Sequence, residues 1–177
     1  MLIGAKDIGE FTPIQKQAYD LIASGPRKDV PYPFLAMLDV PGLANAIQAV
    51  GAEIRFAGTL SDQLREVAIL ATAGAFGSGY EWDYHAAIAR RLSMSETLIS
   101  ATRTGDTSHL GADTTSRLII ALCRSAVLER QVPSETLASL VDSLGRTGAS
   151  EVVAIAGYYP LLALFLSAGE LDHRLPE

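Results

Sequence analysis

The chain has 177 residues, 49% of them hydrophobic, with 14 Lys and Arg against 20 Asp and Glu and a formal net charge of −6. That is enough chain for one well-buried domain and too little for two comfortable ones, and it lies far from the polar, highly charged composition of disordered proteins. The few cations are scattered and form no basic stripe to neutralise phosphates, which argues against nucleic acid as a partner.

Residues Met1 to Glu10 lack the basic and apolar regions of a secretory signal. Pro13, Gly25-Pro26, Pro31, Pro33 and Pro41 then confine regular structure to short helices around Ile14 to Ala23 and Phe34 to Leu38, so residues 1–40 read as a wrapping arm. From Pro41 the residues Leu43, Ala46, Ile47, Val50, Ile54 and Ala57 recur at helical intervals, with Gly58 placed to close the helix and Ser61 to cap the next.

That next helix, from about Asp62 to Phe76, is apolar on nearly every face, as a central helix is, and Glu66 stands alone in it. A buried carboxylate is costly without a partner, so Glu66 calls for one. Gly77-Ser78-Gly79 breaks the helix, and Ser78 opens another to about Leu92 whose inner face carries Glu81, Trp82, His85, Ile88, Ala89 and Leu92. Glu81 and His85 are four apart and therefore one helical turn apart on the same face, where they make a candidate acid/base unit.

Ser93-Met94-Ser95-Glu96 has capping-box spacing and starts a short helix that Gly105 ends. After a loop from Asp106 to Ala112, helices are expected from Asp113 or Thr114 to about Arg130, from Pro133-Ser134-Glu135 to Leu144, and from Ser150-Glu151 to about Ala168. No period-two strand interrupts them, so the fold class is all-α. The longest uncharged run, Val152 to Gly169, contains Gly157, Tyr158, Tyr159 and Pro160 and reads as a kinked core helix, not as a membrane span. Cys123, the single cysteine, lies in an apolar run and reads as a buried, inert thiol with no disulfide, which suits a reducing cytoplasm. The stretches Glu66-Val67-Ala68-Ile69 and Glu151-Val152-Val153-Ala154-Ile155 echo one another faintly, as in a duplicated helical unit whose second copy is architecture.

The run Leu64 to Leu70 with Tyr80-Glu81-Trp82-Asp83-Tyr84-His85-Ala86-Ala87-Ile88-Ala89 after it resembles the carboxymuconolactone decarboxylase family, whose members share the AhpD-like helical fold. Ser24-Gly25-Pro26-Arg27, Pro33-Phe34, Ile54-Arg55-Phe56 and Gly157-Tyr158-Tyr159 extend the likeness over most of the chain, to the longer, single-domain members. The resemblance implies a trimer or hexamer and one of two activities. One is loss of carbon dioxide from a small carboxylated lactone without metal or organic cofactor; the other is a peroxidase activity of the AhpD type, which uses a Cys-x-x-Cys pair with a glutamate and a histidine. In that mapping Glu66 and His85 match the proton-relay pair, while Ser78 and Glu81 stand where the two cysteines belong. A hydroxyl and a carboxylate form no disulfide, so that peroxidase route is closed.

The expected protein is a cofactor-independent lyase or proton-transfer enzyme for a small carboxylated lactone or oxo acid. His85 is its acid/base, Glu66 and Glu81 tune it, Trp82 and Ser78 face the substrate with Phe76 and Phe56 as apolar wall, and Arg55 or Arg27 binds a carboxylate. Blander assignments stand beside these. Ser78 and Glu81 have the spacing of a capping box, and Glu66 could pair with Arg90 or Arg91 of a neighbouring subunit. Tyr158 and Tyr159 read as core aromatics, and no Glu-x-x-His signature supports a metal site. An oligomeric ligand-binding protein without catalysis is the rival function.

Overall fold

The computed structural model describes residues 2–5, 7–26 and 28–172. Among these there are eight α-helices and no strand: α1 (Pro13–Ser24), α2 (Tyr32–Ala36), α3 (Pro41–Ala52), α4 (Asp62–Phe76), α5 (Gly79–Arg91), α6 (Glu96–Thr104), α7 (Thr114–Leu128) and α8 (Ser134–Ala168).

Side chains that satisfy the free N–H groups of a first turn set where the helices start. Thr12 and Gln15 form a reciprocal capping box ahead of Pro13 on α1. Ser61 accepts from the Leu64 amide at the start of α4, Ser95 from Leu98 at α6, and Asp113 from Ser116 at α7. Gly77 ends α4 in the left-handed region at φ 82°, a conformation that suits a residue without Cβ.

Three expected boundaries are corrected. Gly58 is not a left-handed cap, because α3 passes into a π-helical turn at Glu53–Ala57 that ends the segment before the glycine. The box ahead of α6 begins at Ser95; Ser93 is itself in the left-handed region at φ 59° and forms the turn. The last helix does not open at Ser150. Gly145, at φ 71° and ψ 170°, is the single non-helical residue within α8, and the chain is helical again from residue 146. The Ser150 hydroxyl accordingly donates to the Arg146 carbonyl one turn back. The one break in α8 thus lies at Gly145, ahead of the apolar run, and Pro160 sits inside the continuing helix. By length and composition α8 could cross a bilayer, but half of its most apolar 18-residue window is buried inside the protein, as in a core helix.

By contact the described residues form two compact units. One holds the chain up to Ala57 together with the residues from Leu162 onward. In it α1 packs on α3, and Ile22, Phe34, Met37, Leu38 and Ala44 are buried. A Cβ on Gly169 would lie 2.7 Å from the Ala36 Cβ, so this glycine lets the end of α8 approach α2. The other unit spans Gly58–Leu161. Its axis is α4, which packs on α5, α6 and α7 and buries every residue from Glu66 to Ala73.

Glu151 ties α8 into this second unit. Its carboxylate accepts from the Thr59 amide at 2.7 Å, the Thr59 hydroxyl at 2.8 Å and the Leu60 amide at 3.0 Å, and so occupies the approach to α4. Partial burial works against the charge, but these donors and the Arg65 guanidinium outweigh it and hold the carboxyl below its ordinary range. A group held low in the folded state stabilises it above the unfolded carboxylate value, and that contribution disappears as pH falls through the folded value. Glu151→Gln should therefore cost about 1 kcal/mol at neutral pH, after screening at this half-exposed position. The gap to the unsubstituted protein should close in denaturant titrations repeated down to about pH 3.

Candidate active site

The α4–α5 hairpin brings three ionisable side chains together. Glu66 comes from the second turn of α4, and Glu81 and His85 come from one face of α5. The Nδ1 atom of His85 lies 2.6 Å from Glu66 Oε2, and its Nε2 lies 3.8 Å from Glu81 Oε2. All three side chains are buried, His85 and Glu66 to 2% exposure and Glu81 to 5%. A carboxylate only accepts, so with Glu66 ionised the proton of that hydrogen bond sits on Nδ1.

A buried imidazole between two carboxyl groups is an arrangement that can give or take one proton, and here it is shielded from water.

Local sequence explains why Glu81 is available. The Ser78 hydroxyl caps α5 by accepting from the Glu81 amide at 3.4 Å. The reciprocal half of a capping box is missing, because the Ser78 amide donates instead to the Ala73 carbonyl at 3.1 Å in the turn after α4. The cap therefore needs only the backbone of Glu81, and its carboxylate stands on the His85 face. Among the described residues Glu66 is paired with the imidazole, while Arg90 makes a two-pronged pair with Glu96 at 2.8 and 3.0 Å on the surface.

The imidazole is also walled by aromatic rings. Tyr84 is edge-to-face with it at 5.3 Å, and Tyr159 of α8 is likewise at 5.2 Å with an interplanar angle of 86°. Tyr158 packs against Tyr159, and Tyr80 stacks on Tyr84. From the sequence Tyr159 reads as a core aromatic. It is one, at 3% exposure, yet its neighbour is the histidine. Its signal, the Gly157-Tyr158-Tyr159 run, is visible in the chain, but nothing local says which ring meets α5.

Trp82 is half-buried beneath the Arg103 guanidinium, 4.5 Å from the ring centroid, and its buried indole N–H has no acceptor among the described residues. Phe76 ends α4 at 37% exposure. Arg55 and Phe56 lie in the other unit, where the guanidinium sits 5.9 Å from the Phe56 ring. Arg27 and His173 fall outside the described residues. Among those residues no three His, Cys, Asp or Glu side chains are arranged to hold a metal ion.

With this geometry in place the relatives can be set beside it. Residues 41–123, just under half of the chain and the part that carries Glu66, Glu81 and His85, match the Carboxymuconolactone decarboxylase family. No curated protein matches in sequence. Two solved structures share the fold: the debrominase Bmp8 in its apo form (TM-score 0.75, 18% identity, 99% of this chain and 92% of that one) and an uncharacterized peroxidase-related protein from Silicibacter sp. TM1040 (TM-score 0.73, 17% identity, 98% and 92%).

The chain's one thiol is remote from redox chemistry. Burial pushes Cys123 up to about 12, against a smaller opposing effect of its hydrogen bond with the Thr72 side chain. Ellman's reagent at pH 8 should leave the folded protein unlabelled and should release one equivalent of chromophore once denaturant is added.

Proposed function

Because residues 41–123 match the carboxymuconolactone decarboxylase family, we propose that the protein is a cofactor-independent lyase that removes carbon dioxide from a small carboxylated lactone or related oxo acid, with His85 as proton donor. The observation that carries this reading is the 2.6 Å contact between His85 Nδ1 and Glu66, with Glu81 on the opposite nitrogen, in a water-poor interior.

In the reaction the bond between the substrate carboxylate and its neighbouring carbon breaks, carbon dioxide departs neutral, and the electron pair spreads into the adjacent carbonyl as an enolate. The His85 imidazolium gives its Nε2 proton to that carbon and becomes neutral imidazole, with Nδ1–H still held by Glu66. Solvent restores the proton. Fixing the tautomer is the work of Glu66; Glu81 favours reprotonation of the ring. Positioned proton transfer contributes about a hundredfold to ten-thousandfold, and dipoles aimed at the developing oxyanion contribute more. Trp82, with its buried indole N–H, is the donor we assign to a substrate oxygen. Peroxide reduction has no support, since Ser78 and Glu81 occupy the dithiol positions and Cys123 is buried.

We further propose a cytoplasmic homo-oligomer. Ile14 and Leu21 on α1, and Leu43 and Val50 on α3, leave apolar side chains 42–63% exposed at seven-residue intervals, which a partner copy would cover.

The test is carbon dioxide release from 4-carboxymuconolactone and a panel of related lactone and oxo acids. His85→Ala should abolish turnover with the helical circular dichroism intact, and Glu66→Gln should lower kcat about a hundredfold. Full activity in His85→Ala would remove the reading. Tight retention of a panel acid without turnover would favour the binding protein instead.

A further inference from the structure

We propose that the cavity between α7 and the loop after α6 is a binding site for a small dicarboxylic acid, whose two carboxylates pair with the Arg117 and Arg124 guanidinium groups and whose apolar middle lies on Ile120 and Ala121. None of the residues lining it belongs to the cluster of Glu66, Glu81 and His85, so the site stands apart from the proposed decarboxylation.

The cavity holds about 230 Å³, less than the roughly 300–1,000 Å³ of sites for drug-sized ligands, and so suits a small acid. Along α7 its lining runs in the order Arg117, Ile120 with Ala121, then Arg124 with Ser125. Steps of three and four residues put these side chains on one face of the helix, with a cation at each end of an apolar floor. Ile120, at 1% exposure, anchors that floor in the core. The seven residues from Arg117 to Arg124 advance about 10 Å along the axis. The two guanidinium groups are also engaged in different places: Arg124 Nη1 donates to the Arg103 carbonyl at 2.8 Å and the Thr102 carbonyl at 3.4 Å at the end of α6, while Arg117 Nη2 donates to the Thr114 hydroxyl at 3.5 Å at the start of α7. A carboxylate for each matches this spread better than one shared between them.

Charge points to an anion as the occupant. Both arginines are half-buried, and neither has an acidic partner among the described residues, although the chain carries 20 Asp and Glu against 14 Lys and Arg. Arg65 and Arg90, by contrast, are paired with Asp62 and Glu96. A partly desolvated guanidinium gains most from a carboxylate that meets its fork of N–H donors. After the contacts above, Arg124 keeps its Nη2 donors for a ligand, and Arg117 its Nε and Nη1 donors. Gly105 holds the first of these in place: it closes α6 at φ 81°, and a Cβ there would lie 2.5 Å from Arg124 Nε, in space that the arginine occupies. Glu129 also lines the cavity, beyond Arg124, where its carboxylate accepts from the Ser125 hydroxyl at 2.9 Å. Its charge repels an anion from that end and directs it to the stretch between the arginines.

The experiment titrates the full, isotope-labelled chain with adipate, and with hexanoate as a counterpart of equal length bearing one carboxylate, while the amide resonances of Gly105, Thr107 and Ser125 are followed. Adipate should shift these amides saturably and bind about tenfold tighter than hexanoate. Arg117→Gln removes a side chain bonded only within the first turn of α7, and should weaken adipate about tenfold to a hundredfold with the helical circular dichroism unchanged. Should that variant not fold, Arg124→Lys, which keeps the charge and loses the fork, should weaken it severalfold. His85→Ala should bind adipate like the unsubstituted protein. No saturable shift, equal affinity for the two acids, or unchanged affinity in the arginine variants overturns the proposal. Loss of binding in a folded His85→Ala variant would place the acid at the α4–α5 hairpin and overturns it too. So does dissociation of an oligomer by Arg117→Gln with no acid bound to the unsubstituted protein, which would give the arginines to carboxylates of a second copy. Failure of every lactone and oxo acid to turn over would remove the lyase reading and leave these outcomes as they stand.

Discussion

The buried contact between Glu66 and His85 is the constraint around which the second unit is arranged. A lone carboxylate in the apolar middle of α4 would be expelled or neutralised, and a lone imidazole at 2% exposure would lose most of its usefulness as a base. Together they satisfy each other, and separating such a pair by deleting one member typically costs about 3–5 kcal/mol. Two leucines would pack α4 on α5 as well, and with no charge to desolvate.

Holding the pair is a matter of local chemistry on both sides of the hairpin. Gly77 in the left-handed region turns the chain sharply, Ser78 caps α5 with its hydroxyl, and the Ser78 amide is engaged by the Ala73 carbonyl. Each of these satisfies a backbone group, and their combined effect is that the helix start makes no use of the Glu81 carboxylate, which stands beside His85 instead. On the far side, Glu151 does for the approach to α4 what a serine does for α5, but from another helix. The two acids that echo one another in sequence thus differ in kind: Glu66 is buried against an imidazole, and Glu151 is half-exposed against backbone amides.

Helix order and the acid–histidine–acid trio were legible in the chain because both depend on short-range rules. Period 3.6, serine caps and glycine stops fix α4 to α7 within a residue or two, and the four-residue spacing of Glu81 and His85 puts them on one face whatever the tertiary structure. The failures have the opposite origin. Ser150-Glu151 looks like a helix start because serine with an acid after it is a cap in isolation, yet Gly145 had already restarted the helix and Glu151 was engaged 92 residues away. Gly58 looks like a stop, but the π-helical turn at Glu53–Ala57 had unwound the segment first. Tyr159 was visible only as an aromatic, since which ring reaches the imidazole is decided by helix register and not by composition.

Ser78 and Glu81, which the family resemblance places where some relatives carry a Cys-x-x-Cys pair, have different local demands. Position 78 needs a small residue with an acceptor to begin α5, a need that serine meets with its hydroxyl. Position 81 needs only a backbone amide for that cap, so its side chain is at liberty to be a thiol in the cysteine-bearing pattern and a carboxylate here. A carboxylate there cannot store electrons, and it stands 3.8 Å from the imidazole. The one thiol of the chain, Cys123, is sealed in the core, away from this hairpin.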